Sequence, residues 1–291
     1  MSTFNAAESA AATRLIDLAL AEDVANLGDR TSDAIIPANG QGQATFIARK
    51  PGVLAGMPVV RILLEKLQPR VQLVEHRHDG DALEPKTKIA TMVGSMRTIL
   101  LAERTALNFI QRLCGIASLT RRYVEAIEGL PCVLLDTRKT TPGWRMLEKY
   151  AVRMGGGTNH RMGLYDGILI KDNHLSGVGN VEYPITDAIR QTRAAYGDSL
   201  PIEIEVDTLI QLEEALSSKP DIVLLDNMTP EQLRLAIKRR DAVSPKTLLE
   251  ASGGVTLETV RSIVESGVDR VSVGALTHSA TALDIGLDYG S

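Results

Sequence analysis

From Val133 onward the chain repeats one pattern: a short run of aliphatic and β-branched residues, then a stretch with helical spacing. The runs are VLLDT (from Val133), GILIKDNH (Gly167), IEIEVD (Ile202), IVLLDN (Ile222), LLEASGG (Leu248) and RVSVGAL (Arg270). Between them, WRMLEKYAVRM sets Leu147, Tyr150, Ala151 and Met154 on one helical face. Repeated βα units mean parallel strands joined by helical crossovers. Two architectures satisfy that pattern, a doubly wound sheet and a (β/α) barrel. Almost every run ends in polar or glycine residues: Asp136, Lys171, Asp207, Asp226, Ser252 and Gly274. A barrel gathers all such ends around one mouth, whereas a doubly wound sheet uses mainly those near one switch point. The barrel is favoured. GGTNHR (from Gly156) reads as one more strand or a loop, so the strands fall short of eight and closure is expected to be incomplete.

The first third is mixed. A helix is expected over Ala6–Ala21, strands at ATFIARK and GVLAG, and a helix over Met57–Leu67. RVQLVEHRH and KIATMVGS read as further strands. Met96–Ile127 is helical, with Gly115 a candidate break between two helices. The formal net charge of -4 supplies no basic field for nucleic acid, so anion binding must come from local clusters. Cys114 and Cys132 are too few for a disulfide scaffold and suit a reducing compartment. No apolar run approaches the roughly 18 residues of a membrane span. The N-terminal stretch reads as an amphipathic helix rather than a signal peptide, and a cytoplasmic protein without membrane or nucleic-acid partners is expected.

The strand ends suggest chemistry. Arg138 and Lys139 follow the first run, His160 and Arg161 lie in GGGTNHRMG, and Lys171 ends GILIK. Five nitrogen-rich side chains around one mouth suit an anionic ligand, since a guanidinium grips a carboxylate or phosphate with two hydrogen bonds. Any one of them alone reads equally well as a solvated loop charge. Glu203 and Glu205 share one strand face, where a parallel barrel is normally apolar. Glu205 and Asp226 are suited to hold a divalent cation, directly or through water, or to face a developing positive charge. A structural ion pair with the nearby lysines is the plainer alternative. SGG (Ser252, Gly253, Gly254) and VGAL (through Gly274 and Ala275) stand where barrels often cradle a phosphate on backbone N–H groups.

These stretches resemble a known family. LLDTRKTTPGWRMLEKYAV, GGGTNHRMGLYDGILIKDNH, IEIEVDTLIQLEEAL, DIVLLDN and LEASGGV are similar to quinolinate phosphoribosyltransferases, the decarboxylating enzymes of de novo NAD synthesis. The likeness runs from about Ala21 to the C-terminus. It implies a pentosyltransferase that joins quinolinate to phosphoribosyl pyrophosphate, giving nicotinate mononucleotide, pyrophosphate and CO2. It implies an α+β open-sandwich domain over residues 1–114, an incomplete (β/α) barrel over 115–275, and a segment 276–291 packed back on the first domain. It implies a homodimer, or a higher assembly of dimers, with Arg104 of ERTALN reaching the partner's site. Arg138, His160 and Arg161 are then expected to line the quinolinate pocket, and Lys139 and Lys171 to contact substrates at the reacting centre. Glu205 and Asp226 would lie near the ribose and its Mg2+, with Ser252, Gly253, Gly254, Gly274 and Ala275 around the 5′-phosphate. Trp144 stands where a smaller or aliphatic residue is expected. An enzyme of this fold that used nicotinate would lose part of the cation cluster, and a non-catalytic sensor of phosphorylated metabolites would have no use for the acid pair.

Overall fold

The computed structural model describes residues 4–177 and 182–290. Its elements begin with α1 (Ala6–Val24), α2 (Arg30–Ile35), β1 (Gln41–Ala48), β2 (Gly52–Val53), α3 (Met57–Lys66), β3 (Val71–Glu75), β4 (Ala82–Leu83), β5 (Lys88–Ser95) and α4 (Met96–Ala126). They continue with β6 (Val133–Leu135), α5 (Arg145–Met154), β7 (Ile168–Ile170), α6 (Asp172–Leu175), α7 (Pro184–Tyr196), β8 (Ile202–Val206), α8 (Leu209–Ser217) and β9 (Ile222–Asp226). The last are α9 (Pro230–Val243), β10 (Leu248–Ser252), α10 (Val260–Val264), β11 (Arg270–Ser272), α11 (Ala275–His278) and β12 (Ile285–Gly290).

The chain forms two compact units. One comprises Met1–Arg121, Lys139–Gly156 and Leu276–Ser291, the other Arg122–Arg138 and Gly157–Ala275. In the first, four antiparallel strands lie in the order β12-β1-β5-β3. The C-terminal β12 pairs with β1 from Gln43↔Gly290 to Ala48↔Ile285. Helix α1 starts in a reciprocal cap: Glu8 N donates to Asn5 Oδ1 at 3.0 Å, and Asn5 N to Glu8 Oε2 at 2.8 Å. Trp144 stacks on Phe109 with ring centroids 4.8 Å apart, which accounts for its size.

Helix α4 corrects one expectation. Gly115 does not break it, and the helix runs unbroken from Met96 to Ala126. A Cβ on Gly115 would stand 2.1 Å from the carbonyl oxygen of Thr281. The glycine serves close backbone approach rather than a turn.

The second unit is a sheet of six parallel strands in the order β6-β11-β10-β9-β8-β7. Thr158 adds a single parallel bridge to Leu135. That bridge is all GGTNHR contributes as strand. Among the described residues no pairing joins Thr158 to β7, so the ring of strands stays open: an incomplete barrel.

The register sorts the side chains. Ile170, Ile202, Ile204, Val206, Val223, Leu225, Leu249 and Ala251 face outward and pack against Ile185, Ala188 and Ile189 of α7, Leu212, Ala215 and Leu216 of α8, and Leu233 and Ala236 of α9. Each fully buried Val, Leu or Ile among them contributes about 1.5–3 kcal/mol. The alternate residues face inward and stack in rows. Glu203 lies level with Ile222, and Ile222 with Leu248. Glu205, Leu224, Glu250 and Arg270 form the next row. Asp226 lies level with Ser252, and Ser272 with Leu135, nearest the C-terminal mouth. Barrel interiors are commonly filled by branched apolar residues. Here much of the inner face is polar and charged.

Candidate active site

The site is built on that inner face and on the loops that leave it. After β6 the buried Asp136 turns back onto the chain. Its Oδ2 accepts from Asn159 Nδ2 at 2.6 Å and its Oδ1 from the His160 N–H at 2.9 Å, while its own N–H donates to Thr158 O at 3.2 Å. Asp136 clips residues 158–160 beside β6. It is the acid in DTRKT that holds the scaffold.

The clip presents His160 and Arg161. His160 Nε2 lies 3.1 Å from Glu203 Oε2 and 3.4 Å from Glu250 Oε1, and Arg270 Nε lies 3.3 Å from Glu250 Oε2. Glu203 and Glu250 are almost wholly buried. Burial alone would lower the imidazole's pKa, but the two carboxylates beside Nε2 outweigh it and push it up to about 9. Against this, His160 Nδ1 accepts the Arg161 N–H at 2.8 Å. A ring protonated there could not accept. The contact decides the tautomer: Nε2 carries the proton and donates, and Nδ1 is bare. Burial raises the pKa of Glu203, with the His160 hydrogen bond opposing it.

His160, Glu203 and Glu250 bring one donor atom each within 4.8 Å of one another, a spacing that would also hold a metal ion. The hydrogen bonds argue otherwise. A neutral imidazole bound to metal through Nε2 carries its proton on Nδ1, where the Arg161 N–H already donates. Glu250 meanwhile has Arg270 for a counter-charge.

Arg161 is half-buried and its Nη1 donates to Gly167 O at 3.1 Å. Burial lowers its pKa, and the nearby positive charge of Arg138 lowers it further. The charge of Arg138 is thus felt at Arg161, and an anion bound near both would offset it. With His160, Glu203 and Arg270, Arg161 also lines a cavity of about 100 Å3 at the N-terminal ends of β7, β8, β9 and β11.

At the C-terminal ends stand the other predicted groups. Lys171, half-buried after β7, forms an ion pair with Glu205. Its backbone is held by KDNH itself: Lys171 N donates to His174 Nδ1 at 2.9 Å, and His174 N to Lys171 O at 2.9 Å. Asp226 accepts from Asn227 Nδ2 at 2.6 Å, and Asn227 N donates to Ser252 O at 2.9 Å. Gly253 and Gly254 both take left-handed φ, +89° and +59°, and a Cβ on Gly253 would meet Asn227 Oδ1 at 2.3 Å. Successive backbone groups bared in this way suit a phosphate. Ser272 Oγ donates to Ser252 Oγ at 3.0 Å. Gly274 and Ala275 lead from β11 into α11.

Within this unit the structure therefore brings together Arg138 with Arg161, His160 with Glu203, Lys171 with Glu205, and Asp226 with the Ser252–Gly254 turn. Arg104 and Lys139 belong to the other unit. Arg104 is exposed on α4; Lys139 is exposed and its carbonyl accepts from Thr277 Oγ1 at 2.8 Å. Glu250 and Arg270 were missed by sequence reasoning. Glu250 stands two residues before Ser252, as Glu203 stands two before Glu205, and that spacing is the signal that marks it as inward-facing.

Comparison with known proteins shows the family to which the chain belongs. The family description "Quinolinate phosphoribosyl transferase, N-terminal domain" matches residues 29–114, and its C-terminal counterpart matches residues 116–288. The nicotinate-nucleotide pyrophosphorylase [carboxylating] of Mycobacterium leprae is 44% identical over 280 residues, covering 96% of this chain and 97% of that protein. Quinolinate phosphoribosyltransferase [decarboxylating] 1b of Nicotiana tabacum is 37% identical over 288 residues, 94% of this chain and 81% of the relative. The solved nicotinate-nucleotide pyrophosphorylase of Francisella tularensis superposes with a TM-score of 0.89 at 36% identity, over 100% of both chains.

Proposed function

The chain belongs to the quinolinate phosphoribosyltransferase family, and from that premise we propose how its residues share the family's reaction. The enzyme transfers the phosphoribosyl group of phosphoribosyl pyrophosphate to quinolinate with loss of CO2, yielding nicotinate mononucleotide and pyrophosphate for NAD synthesis. The observation that carries the assignment of roles is that two half-buried guanidiniums, Arg138 and Arg161, are placed on the loops after β6 and Thr158, near enough for the charge of Arg138 to act on Arg161. Two such groups match a ligand with two adjacent carboxylates.

In this reading Arg138 and Arg161 bind quinolinate and turn its ring nitrogen toward the anomeric carbon. Arg104, exposed on α4, reaches the site of a second copy in a homodimer, and Lys139 joins it at the reacting centre. The Ser252–Gly254 turn, with Gly274 and Ala275, takes the 5′-phosphate. Glu205 and Asp226 lie on the same face of adjacent strands and offer only carboxylate oxygens, a donor set that fits Mg2+ held through water. Bound there, Mg2+ would neutralise charge on the departing pyrophosphate. Lys171 keeps the Glu205 carboxylate in place, and both acids favour positive charge at the ribosyl carbon as the bond to pyrophosphate breaks. The ring nitrogen then forms the new C–N bond and becomes positive. It stabilises the electron pair left on C2 when the 2-carboxylate departs as CO2, and a proton is added at that carbon. No separate decarboxylation cofactor is required. A cytoplasmic location is the reading that the free thiols of Cys114 and Cys132 support.

The test is product release from purified protein with Mg2+ and phosphoribosyl pyrophosphate, using quinolinate and nicotinate as separate substrates. CO2 and nicotinate mononucleotide are expected from quinolinate. Turnover of nicotinate in its place would show that the two-guanidinium pocket was misread.

A further inference from the structure

The inward rows of the barrel contain charges that the proposed mechanism does not use. Glu203 and Glu250 project into the interior almost wholly buried, where an unmatched carboxylate is costly. Glu203 Oε1 and both Glu250 oxygens form no hydrogen bond among the described residues. What faces them is His160 Nε2, at 3.1 and 3.4 Å, and Arg270 on the far side of Glu250. An apolar pair of the same size would pack the barrel without this desolvation cost, so stability does not explain the acids.

The hydrogen bonds indicate what they do. Glu203 Oε2, 3.1 Å away, accepts the Nε2 proton, and the Glu250 carboxylate 3.4 Å away adds negative charge on the same side, which together fix the ring's orientation and tautomer. That leaves Nδ1 bare to receive the Arg161 N–H, while the His160 N–H is held by Asp136. The backbone on either side of the His160–Arg161 peptide is thereby anchored, and the Arg161 side chain leaves it toward Gly167 O. Glu203 and Asp166 also face the Arg161 guanidinium with negative charge, offsetting Arg138. His160 has both ring nitrogens committed to the protein, so its route of influence on a bound anion runs through Arg161.

We propose that Glu203 and Glu250, with Arg270 as counter-ion, are positioning residues for quinolinate: through His160 they set the backbone and guanidinium of Arg161 opposite Arg138. The proposal rests on the reading that these arginines bind quinolinate. It makes the polar filling of the barrel a specificity device, because the Glu203 and Glu250 side chains meet His160 and Arg270, whereas Ser252 at the turn bonds to Ser272.

The experiment is steady-state kinetics on the full-length enzyme with each substrate varied in turn, for the wild type, Glu203→Gln and Glu250→Gln. The amide keeps size and hydrogen-bonding capacity while removing the charge. At least a tenfold rise in KM for quinolinate is expected, with KM for phosphoribosyl pyrophosphate changed by less than twofold. A purely structural role would move both constants together, or neither, and either result overturns the proposal. Should the variants fail to fold, nitrogen-15 NMR of histidine-labelled wild type decides: an Nε2-protonated His160 with bare Nδ1 is expected at pH 7.5, and an Nδ1-protonated ring overturns it. Wild type that uses nicotinate and rejects quinolinate would defeat the substrate reading itself. Wild type that uses quinolinate, with unchanged KM in both variants, would defeat only this inference.

Discussion

The two faces of the parallel sheet come from the same strands and obey different rules. On the outer face, Ile202, Ile204, Val206, Val223, Leu225 and Leu249 pack against the helices and are all but fully buried. On the inner face, residues one position away along the same strands are Glu203, Glu205, Asp226 and Glu250. The outer face needs volume and apolarity, and many sequences would serve it. The inner face needs particular atoms at particular heights: carboxylates level with a histidine and an arginine, and a lysine–carboxylate pair at the C-terminal end. Alternation along a strand of five residues is thus enough to keep folding and chemistry on separate surfaces.

The comparison can be broken most forcefully at Arg138. Arg138→Ala is expected to cost about 2–5 kcal/mol of quinolinate binding, the range for removing one partner of a desolvated charge pair. Calorimetry should show phosphoribosyl pyrophosphate binding little changed. Gly253→Ala comes next. Its Cβ would meet Asn227 Oδ1 at 2.3 Å in a left-handed backbone, a strain of about 1–3 kcal/mol. It should raise KM for phosphoribosyl pyrophosphate and leave that for quinolinate alone. On the outer face, Ile204→Val should lower stability by about 0.5–1.5 kcal/mol in denaturant titration, with both KM values intact.

The smallest effect is expected from pH. If the two carboxylates kept His160 charged up to about 9, its stabilisation would be complete below its ordinary pKa near 6.5 and lost as pH rises through 9. The Arg161 N–H on Nδ1 argues for a neutral ring, so the stability difference between wild type and His160→Gln should be flat from pH 6.5 to 9. A difference that shrinks across that window would show an imidazolium in the folded protein.

Much of this division was legible in the residues themselves. IEIEV alternates visibly, so Glu203 and Glu205 stood out as charges on a face that should be apolar. The glycines of SGG and the acid ending IVLLD marked the mouth. Other features depend on contacts that no local pattern reveals. Glu250 in LLEAS looks like the approach to a glycine turn, and only the register with Leu224 and Arg270 puts it in the interior. Asp136 reads as one more polar strand end, yet its partners lie some two dozen residues on, at Asn159 and His160. His174 in KDNH holds the Lys171 backbone, a local cap invisible among so many polar neighbours. Gly115 reads as a helix break because the backbone of Thr281, its true neighbour, is distant in sequence.

The most direct test of the two-face account uses two adjacent residues of β9, Leu225 facing out and Asp226 facing in. Thermal unfolding and quinolinate turnover would be measured on Leu225→Ala and Asp226→Asn. The account predicts that Leu225→Ala loses about 2–5 kcal/mol of stability while kcat and both KM values hold below the transition. It predicts that Asp226→Asn keeps its unfolding temperature and loses about a hundredfold or more in kcat, the scale of removing one preorganised electrostatic contact to a transition state. Comparable loss of stability in both variants, or undiminished turnover in Asp226→Asn, would contradict it.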